Sequence, residues 1–412
     1  MKADLLWSSR GSGYLLSDSR SISETKEGSM KNVYALGAVS FFTDVSTEMV
    51  ISVLPSFLVE VLGASKAEIG LIEGIAEASG NIFRMVSGYI SDWVGKRKLL
   101  VLIGYGLSAL TKPLFALTSS WTDALLVRFT DRIGKAVRTA PRDSLLSASV
   151  PSDKLGQVFG LHRTLDQAGA ILGPILATVL LPILSFRGLF YFSLIPALIA
   201  LLILVFLVQE VATAKAGGTL IGNIRETSNA DFLKFLSVVA LFSVGAYNYS
   251  FVLLSAGAAG VQDQYIPLVY MLINLMHAII SIPAGTLSDR VGRERVLAGG
   301  YGLLALASAV LVFPSGGILK ALVAACVFGL YMGTVETIQR AIIPRYVVPK
   351  LRGTAYGMYY LTAGVFYLVA NVSVGLLWDN MGSSAAFAYS FTTSLLACLA
   401  MMLLTSSKKP DH

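Results

Sequence analysis

The chain has 412 residues, of which 55% are hydrophobic and 14% are charged, and its mean hydropathy is +0.69. This composition is too apolar for a soluble protein of this length, and it is typical of a polytopic membrane protein. The formal net charge of +7 does not indicate nucleic-acid binding, because the basic residues lie in short loops between apolar runs.

Cysteine and histidine are too scarce to predict a disulfide framework or a metal centre. The chain contains two cysteines, both within apolar runs, and three histidines. It also lacks a G-x-x-x-x-G-K-[ST] phosphate loop and a sizeable soluble segment that could hold ATP. We therefore expect no cofactor, no enzyme activity and no ATP-driven pumping.

Twelve apolar spans are predicted, and they identify the fold class as an all-α polytopic membrane protein. Residues 1–30 lack the apolar run of a signal peptide and are expected to form a disordered cytosolic tail. A polar linker, 209–231, separates a six-span N-terminal bundle, 31–208, from a six-span C-terminal bundle, 232–405, and residues 406–412 form a second tail. The spans lie near 32–60, 66–90, 99–118, 122–147, 156–182, 186–208, 232–256, 264–287, 296–313, 318–343, 354–377 and 384–405.

The distribution of basic residues predicts the orientation of the chain. If the N-terminus is cytosolic, the outer loops contain only Lys66, Arg187 and Lys320, and the other basic loop residues lie inside. This bias follows the positive-inside pattern, so both termini are expected in the cytoplasm.

One loop sequence occurs once in each half of the chain. GYISDWVGKRK at 88–98 recurs as GTLSDRVGRER at 285–295, which predicts two homologous six-helix bundles. Parallel repeats of this kind place a substrate site between the bundles near the midplane and suit alternating access by rocking. The alternative is that these loops only form turns and carry the basic residues that set topology.

The fourth span carries a stripe of charged residues in the segment RFTDRIGKAVRTAPRD at 128–143. On a helical wheel its charged residues share one face over about 21 Å. A bare charge at the bilayer centre costs at least about 2.5 kcal/mol, so this face must meet protein or water. Arg138 and Arg142, in the cytosolic third of the span, could instead extend to the interface or carry topology. The stripe comprises Arg128, Asp131, Arg132, Lys135, Arg138, Arg142 and Asp143.

Four acidic residues lie at membrane depth in the first two spans. Asp44 and Glu48 are one helical turn apart, and Glu73 and Glu77 repeat this spacing. They can neutralise the cationic stripe, and all four are candidate proton carriers because burial and nearby cations shift carboxylate protonation in opposite directions. The alternative is that they are permanent ion-pair partners that fix helix packing.

The C-terminal half has few buried charges and many tyrosines. Tyr247 and Asn248 are candidates for an aromatic, hydrogen-bonding wall of a substrate cavity, although tyrosines also pack helices. Glu336 and Arg340 are four residues apart on the tenth span. We interpret them as an intrahelical pair, or else as a counterpart of the N-terminal stripe that changes partner during rocking.

The repeated loop resembles the loop signature of the major facilitator superfamily. The twelve spans and the central linker resemble the overall organisation of that superfamily. TDVSTEM at 43–49 and DRIGKAVRTAPRD at 131–143 resemble a bacterial permease subgroup, and Gly169, Gly173 and Pro174 resemble the G-x-x-x-G-P motif of proton-linked exporters. The resemblance implies that spans one, four, seven and ten line the cavity. It also implies a conformational latch formed by Gly88, Asp92, Gly95, Lys96 and Arg97 together with Gly285, Asp289, Arg290, Gly292 and Arg293.

These features together predict a monomeric secondary active transporter in a bacterial inner membrane, surrounded by lipid and coupled to protons. Export of a drug or metabolite by proton antiport leads, because of the Gly-Pro motif. The alternative is uptake of an anionic or metal-chelating solute such as a siderophore, because of the cationic stripe. A non-transporting receptor or scaffold is a third interpretation.

Overall fold

The computed structural model describes residues 12–94, 97–149, 155–211, 225–313, 316–347 and 352–406, and within these ranges it contains helices and no β-strand. The predicted all-α fold class is confirmed. The N half comprises α1 (Ser12–Ile51), α2 (Leu54–Glu60), α3 (Lys66–Val94), α4 (Arg97–Leu114), α5 (Trp121–Ala148), α6 (Leu155–Phe192) and α7 (Leu194–Phe206). The C half comprises α8 (Ala230–Ser243), α9 (Tyr249–Ala258), α10 (Ile266–Val291), α11 (Arg293–Val312), α12 (Gly317–Ile342), α13 (Arg352–Met381) and α14 (Ser383–Ser406).

Eight helical segments in the described ranges are long and apolar enough to cross a membrane. α3 and α5 are absent from this set because their charged residues lower the local hydropathy. Both are nevertheless long enough, since the 28 residues of α5 extend about 42 Å at a rise of about 1.5 Å per residue. The charges on these two helices must therefore be accommodated inside the protein.

Spans one, five and six do not each correspond to a single separate helix. Span one is divided between α1 and α2, where Pro55 at the start of α2 cannot donate a backbone hydrogen bond. Spans five and six are joined by a sharp turn at Ser185, whose φ is 58°, three residues after Pro182.

The seventh predicted span, near 232–256, is interrupted in the structure. α8 ends at Ser243 and α9 begins at Tyr249. Asn248 is the N-cap of α9, and its side-chain oxygen accepts a hydrogen bond from the Ser250 N–H at 2.8 Å. Asparagine favours this position because its side chain replaces the missing backbone acceptor, and a break at membrane depth is tolerated where protein surrounds it.

The N-terminal segment also differs from expectation. α1 begins at Ser12, so residues 12–29, which were expected to be disordered, continue the first membrane helix. An established helix extends readily into a segment without proline, because propagation costs less than nucleation. Residues 1–11 of the expected tail lie outside the described ranges, as do 212–224 of the linker and 407–412.

The two halves meet chiefly where α3 packs against α13 and α6 packs against α10. Within the N half, α1 packs on α6 and α4 packs on α5. The α4–α5 contact is close because Gly104 and Gly134 face each other. A Cβ atom added to Gly104 would lie 2.7 Å from both the Arg138 nitrogen and the Gly134 carbonyl oxygen. Neither backbone atom can move without shifting a whole helix.

We therefore expect Gly104→Val to destabilise the N half. Overpacking of a filled interior typically costs about 1–3 kcal/mol, and here the obstacle is backbone. The matched control is Gly106→Val on the same helix, where an added Cβ meets nothing within 4 Å. Thermal unfolding of the detergent-solubilised variants should show a lower midpoint for Gly104→Val than for Gly106→Val. Equal midpoints would contradict the packing described here.

Candidate functional site

Arg128 on α5 lies at the centre of the buried charges. Its side chain is 1% exposed, and its Nη2 atom lies 2.9 Å from Glu73 Oε2 on α3. Its Nη1 atom lies 3.7 Å from Asp131 Oδ2, and Nη2 also donates a hydrogen bond to the Tyr249 hydroxyl at 3.3 Å. Because Tyr249 belongs to the C half, this guanidinium group connects the two halves.

The interruption of span seven brings a second C-half group to the same carboxylate. The Asn248 side-chain amide donates to Glu73 Oε2 at 3.3 Å, and the Asn248 backbone N–H donates to Asn371 Oδ1 at 2.9 Å. Glu73 itself is 1% exposed, so its negative charge is stabilised by donors from both halves. A continuous helix would direct the Asn248 N–H to its own fourth preceding carbonyl instead.

Glu48 forms another connection between the halves. The Tyr270 hydroxyl on α10 donates to Glu48 Oε2 at 2.5 Å. The rings of Tyr249 and Tyr270 lie 4.7 Å apart, so the partners of Arg128 and Glu48 pack against each other. Glu48 of the first span and Arg128 of the fourth span therefore contact the same pair of C-half tyrosines.

The glycines of the predicted helix-five motif hold α1 in place beside this wall. A Cβ atom on Gly169 would lie 2.5 Å from the Phe41 carbonyl oxygen and 3.1 Å from Asp44 Cβ. A Cβ atom on Gly173 would lie 2.8 Å from the Val45 oxygen and 3.1 Å from Glu48 Cβ. Pro174 follows within α6. The motif thus positions the two candidate proton carriers by allowing the helix backbones to touch.

Four further charges lie next to this centre and are less buried. Arg132 Nη2 lies 3.6 Å from Glu77 Oε2, and the two side chains are 12% and 32% exposed. Lys135 and Asp44 are half-buried, and neither side chain forms an ion pair or hydrogen bond within the described ranges. These residues are close enough to influence one another electrostatically and are free to change partner.

Lys112 on α4 is part of the network and was missed from the sequence. It is 2% exposed, and its ammonium group donates to Ser46 Oγ at 3.2 Å, between Asp44 and Glu48 along α1. One turn earlier on the same face of α4, Ser108 donates a hydrogen bond to Asp131 at 2.5 Å. A single lysine within an apolar span indicates a partner inside the protein, and on that basis Lys112 could have been predicted from the sequence.

Several predicted cavity residues lie elsewhere. The Arg138 guanidinium stacks on the Tyr105 ring at 4.3 Å between α5 and α4, and Arg142 pairs with Asp143 at 2.8 Å. Tyr247 is 1% exposed and packs in the aromatic core of the C half, with Ser308 donating to its hydroxyl. None of these three is brought to the contact between Arg128, Glu73 and Tyr249.

The predicted pair on the tenth span is described only in part. Glu336 lies 3.9 Å from His277 Nε2 on α10, and its side chain is 43% exposed. The side chain of Arg340 lies outside the described part of the structure. The pairing of these two residues therefore stays a prediction.

The predicted latch is also described only in part. Gly95 and Lys96 lie outside the described ranges. Gly88 and Asp92 belong to α3, but their contacts lie outside the described part of the structure. Arg97 is the first residue of α4, and its backbone N–H donates a hydrogen bond to Glu210 Oε1 at 3.1 Å.

The C-half copy of the loop forms the turn between α10 and α11. Gly292 has a φ of 100°, a conformation that favours glycine. Arg293 lies 3.5 Å from Asp289 and donates to the Ala341 carbonyl at 2.6 Å. Gly285 is half-buried and Arg290 is exposed.

Next to this turn lies a buried acid that sequence reasoning missed. Glu294 is 2% exposed and accepts hydrogen bonds from Arg345 at 2.8 and 3.1 Å. Burial, together with the Glu294 carboxylate, raises the pKa of the nearby Tyr346 phenol. Glu294 occupies the position of Arg97 in the first copy of the loop. An acidic residue at a position that is basic in the other copy could have indicated a basic partner.

The chain resembles a family profile and several proteins that are named as transporters or resistance proteins. The sequence profile of the Major Facilitator Superfamily matches residues 36–254 and 233–412. The chain is 32% identical over 385 residues to the uncharacterized MFS-type transporter MJ1317 of Methanocaldococcus jannaschii, covering 91% of this chain and 95% of that protein. It is 25% identical over 281 residues to the multidrug resistance protein MdtG of Dickeya zeae, covering 65% and 68% respectively.

A solved structure supports the same fold. The crystal structure of the nucleoside transporter NupG matches with a TM-score of 0.75 at 15% identity, covering 91% of this chain and 99% of that one. At this identity the likeness concerns the fold alone. Two profile matches within one chain agree with the internal duplication predicted from the repeated loop.

The buried pair of Glu73 and Arg128 leads to a stability prediction. Glu73→Gln or Arg128→Met alone leaves one buried charge uncompensated, which costs about 3–5 kcal/mol. The double variant removes both charges and should recover part of that loss. Thermal unfolding of the three variants measures the coupling, and the matched control is Glu77→Gln with Arg132→Met, whose partners are more exposed. Strictly additive losses at Glu73 and Arg128 would contradict a direct pair.

Proposed function

This chain belongs to the Major Facilitator Superfamily, and from that premise we propose that it is a proton-coupled secondary transporter of a small organic solute. The observation that carries the proposal is a first-span carboxylate, Glu48, at the contact between the halves, with a second carboxylate on the same helix. Glu48 accepts a hydrogen bond from Tyr270 of the C half, and Asp44 lies one turn away without a partner in the described ranges.

The proposed coupling follows from the position of Glu48. When the halves rock apart on one side, Glu48 loses Tyr270 and meets water, in which the charged carboxylate is well solvated. When they close, the carboxylate is withdrawn from water and again accepts the Tyr270 hydrogen bond. Alternating exposure would thus load and release a proton once per cycle. Asp44 would act beside it, because Gly169 and Gly173 hold both acids on the same tightly packed surface.

The proposed solute space lies among the less buried groups. In this proposal Arg132, Lys135 and Glu77 line it from the N half, and Tyr249 and Tyr270 form its more buried wall in the C half. An arginine fork and a lysine point charge suit an anionic group, while the tyrosine rings suit the organic part of the solute. Arg128 and Glu73 are too buried for that role and instead hold the halves in register.

Two directions of transport are supported by different observations. Similarity to a protein named for multidrug resistance, together with the glycine motif on α6, supports proton-driven export of a drug or metabolite. A lysine at membrane depth with no partner in the described ranges supports uptake of an anionic or chelating solute. We favour export, in a bacterial inner membrane, with both termini cytoplasmic and one chain as the working unit.

The carrier assignment is testable in proteoliposomes containing a pH-sensitive dye and a solute identified by thermal-shift screening. Asp44→Asn or Glu48→Gln should abolish solute-dependent proton movement while exchange of labelled for unlabelled solute continues, because exchange needs no net proton transfer. Asp231→Asn is the matched control, since its carboxylate is 62% exposed and lies outside the site. Coupling that persists in both Asp44→Asn and Glu48→Gln would contradict the assignment.

The direction is testable by comparing cells with and without the gene. Deletion should raise intracellular accumulation of the solute if the protein exports it and lower accumulation if it imports it. Complementation with the wild-type gene and with Glu48→Gln separates transport from indirect effects. We expect a rise that only the wild-type gene reverses, and a fall would overturn export.

A further inference from the structure

Asp379, near the end of α13 in the C half, contacts the start of α3 in the N half. Its Oδ1 accepts a hydrogen bond from the Lys66 backbone N–H at 3.1 Å, and its Oδ2 accepts from the Ala67 N–H at 2.7 Å. The positive-inside pattern predicts that this face of the protein is external. One carboxylate thus bridges the two halves at that face.

The N-terminal donors of α3 are divided between the two halves. Ser65 accepts from the Glu68 N–H at 3.2 Å through its hydroxyl, and its carbonyl accepts from the Ile69 N–H at 3.1 Å. Glu68 in turn accepts from the Ser65 N–H at 2.7 Å, which completes a capping box within the N half. The capping box does not use the first two N–H groups of the helix, those of Lys66 and Ala67. Both donate to Asp379 of the C half instead.

Close backbone contact brings the carboxylate into reach. A Cβ atom on Gly375, one turn before Asp379, would lie 2.4 Å from the Lys66 oxygen and 2.6 Å from the Ala67 Cα. On the facing helix, a Cβ atom on Gly70 would lie 2.1 Å from the Asn371 oxygen. In this register the two helix backbones touch at both glycines, so this face is closed in the structure.

We propose that Asp379 is a latch that holds the two halves together at this face, and that its release is required for the site to open there. A carboxylate at a helix N-terminus gains from both hydrogen bonds and the helix dipole. When α3 and α13 separate, the two N–H groups pass to water. The proposal rests on the alternating access in the proposed function, and it names the residue that sets the balance between closed and open.

The latch can be tested without a solute by measuring the separation of the halves. Spin labels at Val61→Cys and Met381→Cys, both exposed, report one position in each half when Cys326 and Cys398 are replaced by alanine. Electron–electron double resonance then gives the distance distribution. Asp379→Ala should raise the long-distance population roughly three- to tenfold, in line with the loss of a helix cap. Asp379→Asn should have a smaller effect.

Two control variants make the outcome decisive. Asp123→Ala removes a similar cap at the start of α5, but its partners Ser119 and Ser120 belong to the same half, so no change in distance is expected. Gly70→Val is a wedge that must separate α3 from α13, because its side chain meets backbone, and it should lengthen the distance.

The possible results separate the latch from the proposed function. If Gly70→Val lengthens the distance and Asp379→Ala does not, the halves move and the latch is wrong. If Asp123→Ala lengthens it as much as Asp379→Ala, the effect is general cap loss and the latch is also wrong. If none of the variants changes the distance, the halves do not rock at this face, and alternating access itself fails.

Discussion

The ion pair between Arg128 and Glu73 is the constraint on which the interior of the protein depends. Two opposite charges that are almost fully buried must stay together, because each would be costly alone. Arg128 also donates a hydrogen bond to Tyr249, and Glu73 accepts one from Asn248, so the pair also fixes how the C half sits on the N half. The interruption of span seven follows, since a continuous helix would not present Asn248 in this way.

The other charges are arranged around this pair by decreasing burial. Arg132 and Glu77 are farther apart and more exposed, and Lys135 and Asp44 have no partner in the described ranges. Structural charges are thereby separated from charges that can change partner. The glycines of α6 hold Asp44 and Glu48 beside this region, because α1 packs closely against them.

Much of this arrangement could be predicted from the sequence, because amphipathic charge in an apolar helix has few solutions. The twofold architecture, the stripe on α5 and the four acids followed from spacing and from the cost of charge in lipid. The partners did not follow, because a helical wheel gives faces but not how the helices rotate against one another. Arg138 turned to Tyr105 because Gly104 admits it between α4 and α5, and no periodicity predicts that contact. Lys112 was hidden because one charge barely alters the hydropathy of its span.

The gap between Ser243 and Tyr249 also affects how the C half can deform. Bending an intact membrane helix requires stretching or breaking its ladder of backbone hydrogen bonds in a medium that offers no replacement. In this segment, part of that ladder is already replaced by the Asn248 cap and by Asn371. α9 can therefore pivot against α8 at low elastic cost, and the C half has a built-in compliant joint beside its tyrosine wall.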